Sequence, residues 1–221
     1  MTAPSRSCMR GRKTPRVAPW RAAASAAVLV VLAGCAGTPR ENLYTLTAVA
    51  PAGSAASPAP ATTANAPGDA AIAVETASVP ELVDRPQLVI RAGDNRVVML
   101  EQQRWAEPLG TQISRVVAVD LARLLGSARV SAAPAARASA AYRITLDVQV
   151  FESRPGEAVA IEALWSIRGP AGTTPKNGRT AVREAAQGDG YEPLASAHSR
   201  ALAALSRDIA VALQALVPAI R

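Results

Sequence analysis

The sequence predicts an α+β domain, a mainly antiparallel sheet with two amphipathic helices packed on one face. Three observations predict it. Residues 142–150 alternate, with Tyr142, Ile144, Leu146, Val148 and Val150 on one side and Arg143, Thr145, Asp147 and Gln149 on the other. That is the period of a strand with one buried face. Val159, Ile161, Ala163, Trp165 and Ile167 repeat the pattern after a turn at Pro155-Gly156. Two later stretches change period: Leu109, Ile113, Val116, Val117, Leu121, Leu124 and Leu125, and then Leu202, Leu205, Ile209, Ala212 and Leu216, recur at helical spacing. Such spacing gives a helix one apolar stripe, and helices with one stripe beside half-exposed strands pack as an α+β domain.

The elements follow in order. Asn42-Leu43-Tyr44-Thr45-Leu46-Thr47 has strand-forming residues, Leu43 and Thr45 on one side and Tyr44 and Leu46 on the other. Residues 50–69 are low in complexity, rich in alanine, proline, glycine and small polar residues, and read as a disordered linker or a long loop. From residue 70 to 221 the chain reads as folded. Ala71 to Thr76 is a strand that Val79-Pro80 breaks. Leu88 to Arg91 and Arg96 to Leu100 flank Gly93-Asp94-Asn95, a hairpin turn. Pro108 suits the first turn of the first helix, and Gly126 stops it. A further strand covers Arg179 to Ala186, and Glu192-Pro193 opens the final helix.

The chain has 221 residues with 24 Lys plus Arg against 17 Asp plus Glu, a formal charge of +7. A basic excess suggests nucleic acid or an anionic surface, but the excess belongs to one end. Residues 1–34 hold Arg6, Arg10, Arg12, Lys13, Arg16 and Arg21 and no acid; without those six, 18 bases stand against 17 acids. The remainder is close to neutral, so no nucleic-acid partner is expected. Two cysteines, Cys8 and Cys35, and one histidine, His198, exclude a disulfide scaffold and a multi-histidine or four-cysteine metal site. Aromatic residues are 3%, too few for a base-stacking platform.

Residues 22–33 form an uncharged apolar run of twelve behind the basic stretch. A membrane-spanning helix needs about twenty such residues, whereas a secretory signal's hydrophobic core has this length. A start at Met1 or at Met9 leaves the run intact. It ends in Leu32-Ala33-Gly34-Cys35, which resembles the lipobox of bacterial lipoproteins. The resemblance implies a signal peptide over 1–34, a diacylglyceryl group on the Cys35 thiol, cleavage between Gly34 and Cys35, and acylation of the new amino group with a fatty acid such as palmitate. One acyl chain at about 0.8 kcal/mol per methylene anchors only marginally, while two or more hold a domain on a bilayer. Residues 35–49 then form a lipid-anchored start that ends in the first strand. Ala36 follows the cysteine where an aspartate would favour retention at the inner membrane, so the outer membrane is implied.

Catalytic groups are scarce. No Gly-x-Ser-x-Gly elbow, phosphate loop or dinucleotide fingerprint occurs. His198, among Ser196, Ser199 and Arg200, reads as a partly exposed helical residue rather than a base. Glu157, Glu162 and Glu184 suit the solvent face of strands, and Asp120, Arg123, Arg207 and Asp208 the exposed sides of helices. No enzyme activity, metal or cofactor is expected, apart from the acyl chains on Cys35.

Two clusters stand out. Val79-Pro80-Glu81-Leu82-Val83-Asp84-Arg85-Pro86-Gln87-Leu88-Val89 sets Glu81, Asp84 and Arg85 between two prolines. Arg104-Trp105-Ala106-Glu107-Pro108-Leu109 leads into the first helix, where Arg104, Trp105 and Glu107 can form a cation–π or ion-pair arrangement. Each reads either as a structural corner or as a partner-binding edge, since Trp and Arg are favoured interface anchors. With the lipobox and Tyr44-Thr45-Leu46, these segments resemble the PqiC/YmbA family of ABC-type transport auxiliary lipoproteins. The resemblance covers nearly all of the chain after Cys35, with 50–69 as an insertion. It implies a periplasm-facing outer-membrane lipoprotein, working with an MCE-domain protein that carries lipids between membranes and supports envelope integrity. A chaperone or plug for outer-membrane β-barrel assembly is the alternative, and an envelope hydrolase would need His198 as its base. An exposed strand edge at 43–47 can also pair between copies to give a homo-oligomer.

Overall fold

Periodicity sets the longest elements of the computed structural model, which describes residues 40–49, 70–127, 129–132, 134, 138–171 and 174–216. The expected signal peptide, Gly34 and Cys35, and the low-complexity stretch 50–69 lie outside the described residues. The strands are β1 (Asn42–Tyr44), β2 (Ile72–Val74), β3 (Gln87–Arg91), β4 (Val97–Trp105), β5 (Val130–Ser131), β6 (Tyr142–Arg154), β7 (Ala158–Arg168) and β8 (Lys176–Ala185). The helices are α1 (Leu109–Leu125) and α2 (Glu192–Leu216). The described elements belong to one compact unit that begins at Glu41.

The strands form two sheets, one of three strands in the order β1-β4-β3 and one of five in the order β5-β2-β6-β7-β8. The long ladders are antiparallel: β6 with β7, β7 with β8, and β3 with β4. Gly156, at φ 73°, closes the β6–β7 turn in the left-handed region that glycine enters without steric cost. Three short pairings are parallel: β1 with β4, and β2 with both β5 and β6. The fold is therefore α+β and mainly antiparallel, as the sequence predicts. α1 and α2 pack against each other, α1 over the β2–β5 end of the larger sheet and α2 over β7 and β8.

The apolar stripes are where the spacing puts them. Leu109, Ile113, Val116, Val117, Leu121 and Leu125 of α1 are buried, as are Leu202, Leu205, Ile209 and Ala212 of α2, while Leu124 and Leu216 are half-buried against the core. Burying one such Leu or Ile side chain contributes about 1.5–3 kcal/mol. Gly126, in the left-handed conformation, ends α1 with its N–H directed to the carbonyls of Ala122 and Arg123. Polar side chains bolt α1 to its neighbours. The Gln112 amide donates to the Glu107 carbonyl at 2.9 Å, and its oxygen accepts from the Leu46 N–H at 2.8 Å. The Ser114 hydroxyl accepts from the Ala77 N–H at 2.8 Å.

This close approach requires Gly110. A Cβ there would stand 2.4 Å from the Ala77 carbonyl oxygen, so backbone would have to move. Gly110→Ala is expected to destabilise the fold by about 1–3 kcal/mol, the usual penalty of overpacking. Urea denaturation of the two proteins measures it.

Several sequence expectations change. Beyond Val148 the alternation of β6 breaks, because a bulge lies between Val148 and Val150. Phe151 and Ser153 turn into the core and Val150, expected inward, is half-buried. A bulge adds one residue and switches the face of every later side chain. Asp120 and His198, both expected at the surface, are 3% and 0% exposed. The start of α2 is enclosed by the sheet on one side and by Trp105 and Phe151 on another, so His198 has no solvent face. Asp120 is covered where the chain from Leu46 to Val49 crosses α1, and Arg123 donates to the Ala48 carbonyl there. Trp105 is the last residue of β4, and Pro108 caps α1 from outside rather than sitting in its first turn.

Candidate functional site

Two prolines shape the first cluster. The N–H groups of Val83 and Asp84 both donate to the Pro80 carbonyl, at 2.9 and 3.1 Å, and Arg85 N–H donates to the Val83 carbonyl at 2.8 Å. The tight turn buries Val83 and leaves Leu82 47% exposed. Glu81 and Asp84 are exposed, and Arg85 is half-buried across the hairpin, its guanidinium 3.7 Å from the Met99 sulfur.

The second cluster is joined to the first. Trp105 N–H donates to the Pro86 carbonyl at 2.7 Å, and Gln87 stands opposite Arg104 in the β3–β4 ladder. The structure thus brings the two clusters to one corner. Their charged residues take separate partners: Arg104 pairs with Glu41, and Glu107 with Arg115 at 3.3 Å. The Trp105 ring lies in the core at 6% exposure rather than standing out as an anchor. It meets Phe151 edge-on at 6.1 Å and His198 at 6.5 Å.

Beside this corner lies a groove of about 210 Å³. The turn contributes Pro80, Leu82 and Val83; β3 contributes Val89–Arg91; β6 contributes Gln149–Ser153; Val97 closes one side. Arg91 and Glu152 form an ion pair across it. The hairpin above is apolar on both faces. Val97, Val98 and Met99 are 40%, 37% and 43% exposed, and with Leu82 they make up four of the eight exposed large hydrophobic residues described. An apolar patch with a polar rim is the anatomy of an interaction surface. The sequence reasoning did not single out Leu82, Val97 or Met99. Val97-Val98-Met99-Leu100 held the signal, since a strand with one buried face does not need four consecutive apolar residues.

Two titratable groups sit in the core. His198 stacks on Phe151, with centroids 3.8 Å apart, and its Nε2 is 2.8 Å from the Ser153 hydroxyl. Burial pushes its pKa down to about 3. A Ser–His pair prompts a search for nucleophilic chemistry. A triad needs a third group to orient the imidazole, and Nδ1 of His198 has no hydrogen-bond partner among the described residues. The pair is a buried hydrogen bond between β6 and α2. Among the described residues, no group of His, Cys, Asp and Glu could hold a metal ion.

Asp120 is the second. Burial pushes its carboxyl up to about 6, and the Arg123 guanidinium at 4.0 Å and the Val49 backbone amide pull it back only in part. The folded pKa lies above the unfolded 3.8. The stability tied to the neutral acid is therefore present below about pH 4 and lost as pH rises through 6. Asp120→Asn is expected to stabilise the protein by about 1–3 kcal/mol at pH 8 and to change little at pH 4. Chemical denaturation at the two pH values tests this.

A family model for the ABC-type transport auxiliary lipoprotein component matches residues 44–210, a span that starts at the last residue of β1 and holds every later strand, both clusters and the groove. The chain belongs to this family. The resemblance carried by Tyr44-Thr45-Leu46 and the two clusters is thereby borne out at the level of the family, while the lipobox lies outside the matched residues. No curated protein matches the sequence. Among solved structures, one described as an uncharacterized protein superposes with a TM-score of 0.63 at 19% identity, covering 79% of this chain and 99% of that one. Protein XCC0632 from Xanthomonas campestris, of the family model DUF330, gives 0.53 at 16% identity, covering 76% and 92%. Both likenesses show the fold. As an ABC-type transport auxiliary lipoprotein component, the chain serves a transporter. Among the described residues, no helix is long and apolar enough to cross a membrane.

Proposed function

We propose that this auxiliary lipoprotein docks an MCE-domain transport protein at the periplasmic face of the outer membrane and so supports lipid transport and envelope integrity. Acyl chains on Cys35 hold it there, with the signal peptide removed after Gly34. The observation that carries the reading is the apolar β3–β4 hairpin above the groove at the corner of the two clusters. Glu81, Asp84 and Arg85 belong to the turn whose Pro80, Leu82 and Val83 line the groove, while Arg104 and Glu107 hold the adjoining corner through Glu41 and Arg115. Trp105 supports that corner from beneath. The near-neutral charge of residues 35–221 favours a protein partner over a polyanion, and the protein is read as a binding component rather than an enzyme. Among the described residues β1 pairs on one side only, with β4, and Leu43 is 63% exposed, which leaves an edge for pairing between copies.

Native extraction tests the docking. The MCE-domain protein is expected to co-purify with the acylated chain. Its absence from the eluate, with folded lipoprotein recovered, would contradict the proposal. Mass spectrometry of the mature N-terminus is expected to find an acylated Cys35 as the first residue.

A further inference from the structure

Seven of the described arginines have a carboxylate within 4.0 Å, Arg179 with Glu162 and Arg183 with Glu157 among them. Arg143 and Arg168 are exposed and have none among the described residues. They are also direct partners across the β6–β7 ladder. Like charges directly opposite each other destabilise a sheet, so this pair weakens the free protein where most other arginines are neutralised. Both stand on the sheet face turned away from the helices, since their neighbours Tyr142, Ile144 and Ile167 are buried. The next pair on that face is Thr145 with Ser166, and Asn177 of β8 stands opposite Ser166. These add hydroxyl and amide groups and no charge. The first acid along β6, Asp147, is four residues from Arg143, about 13 Å along a strand. Its carboxylate already accepts from the Ser78 hydroxyl at 2.7 Å and the Gln149 amide at 2.6 Å.

Chemistry and position define what fits. A guanidinium takes a carboxylate through two parallel N–H···O bonds. Opposite residues of an antiparallel pair have Cα atoms about 4.5–5.5 Å apart, so the two arginines present two such forks side by side. Carboxylates on residues i and i+2 of an extended segment point to one side, about 7 Å apart, and can meet both. The tether enters the domain at the other end of β6. Tyr44 of β1 stands opposite Trp105, which touches Phe151. Arg143 is eight residues back from Phe151, about 26 Å along the strand, whereas residues 35–40 span at most about 20 Å. The pair is thus remote from a lipid anchor on Cys35, which favours a polypeptide over the headgroups of the anchoring leaflet. We propose that Arg143 and Arg168 bind two carboxylates on an acidic segment of a partner polypeptide, at the open face of the larger sheet. This site goes beyond the docking reading, and no residue of the β3–β4 hairpin takes part in it.

The test uses the mature acylated chain in phosphatidylcholine nanodiscs, a bilayer without net charge. The probe is the peptide acetyl-Thr-Glu-Thr-Glu-Thr-amide, titrated at low salt and followed by the side-chain Nε–H signals of arginine in NMR. The signals of Arg143 and Arg168 are expected to shift and saturate, while those of Arg179 and Arg183, already paired, stay in place. Arg168→Glu is expected to weaken binding about tenfold or more, the loss of one charge-assisted pair. Its thermal melt is expected not to fall, because an opposite pair then replaces two like charges. Five results would overturn the proposal. The first three are no saturable shift at the two arginines, equal binding by the peptide with Gln in place of Glu, and equal binding by Arg168→Glu. The fourth is full displacement of the peptide by an equal concentration of dioctanoylphosphatidylglycerol, which would assign the pair to a phosphodiester headgroup. The fifth is the same shift on raising the protein concentration without peptide, which would assign it to a second copy of this chain.

Discussion

Acidification from pH 6.5 to pH 3 is expected to remove about 4 kcal/mol of stability through His198 alone. The imidazole is fully buried and its pKa falls from 6.5 to about 3 because burial penalises the cation. A depressed folded pKa means that the stability is present above 6.5 and lost as pH falls towards 3. The surroundings offer the cation little. Nε2 already meets the Ser153 hydroxyl, Nδ1 has no acceptor among the described residues, and the ring faces of Phe151 and His198 lie nearly parallel, 6° apart. Asp120 works in the opposite direction between pH 7 and 5, so the wild-type curve is expected to be nearly flat there and to fall below about pH 4. Ser153→Ala/His198→Phe removes the buried polar pair as a unit. It is expected to stay within about 1.5 kcal/mol of wild type at pH 7 and to lose the acid-side slope. Guanidinium denaturation from pH 7 to pH 3 checks both statements. An unchanged slope in the double variant would show that His198 does not carry it.

Trp105→Ala is expected to cost about 3–5 kcal/mol, the range for truncating a large buried aromatic side chain. The ring is 6% exposed and touches both Phe151 of β6 and His198 of α2. It is the peg that joins the β3–β4 hairpin to the sheet and the second helix. Domains commonly hold only about 5–15 kcal/mol in total, so the variant should approach marginal stability. Trp105→Phe keeps an aromatic ring in the space and should lose less. Urea denaturation monitored by far-UV circular dichroism orders the three proteins. Equal stability of Trp105→Ala and wild type would mean that the indole is not packed as described.

Periodicity made β6, β7, α1 and α2 legible because each buries one face and exposes the other. Pairing is not written in alternation, so the parallel placement of β2 beside β6 and the division into two sheets were not legible. β5 has two residues and no pattern to read. The bulge did leave a mark: Val150-Phe151 puts two apolar residues in sequence where the alternation allows one. His198 was misplaced because Ser196, Ser199 and Arg200 around it look like a polar face. Ser199 is buried all the same, its hydroxyl donating to the Ala195 carbonyl at 2.9 Å and accepting from Thr47 N–H at 3.1 Å. Ser206 does the same to the Leu202 carbonyl at 2.9 Å. Small hydroxyl residues that satisfy themselves on the backbone can be buried, and a charge-based reading counts them as surface. Of the site, the two clusters were legible as backbone corners. Their meeting through Trp105 and Pro86, and the groove beside them, depend on tertiary packing.

The proposed docking can be read residue by residue in living cells. A photo-crosslinking amino acid placed at Leu82, Val97 or Met99 of the acylated chain is expected to give adducts with the MCE-domain protein. The same probe at Leu164 or Val211, also exposed but on other elements, is expected to give none. Adducts from all five positions alike, or none from the groove with folded lipoprotein in the membrane, would contradict docking at this surface.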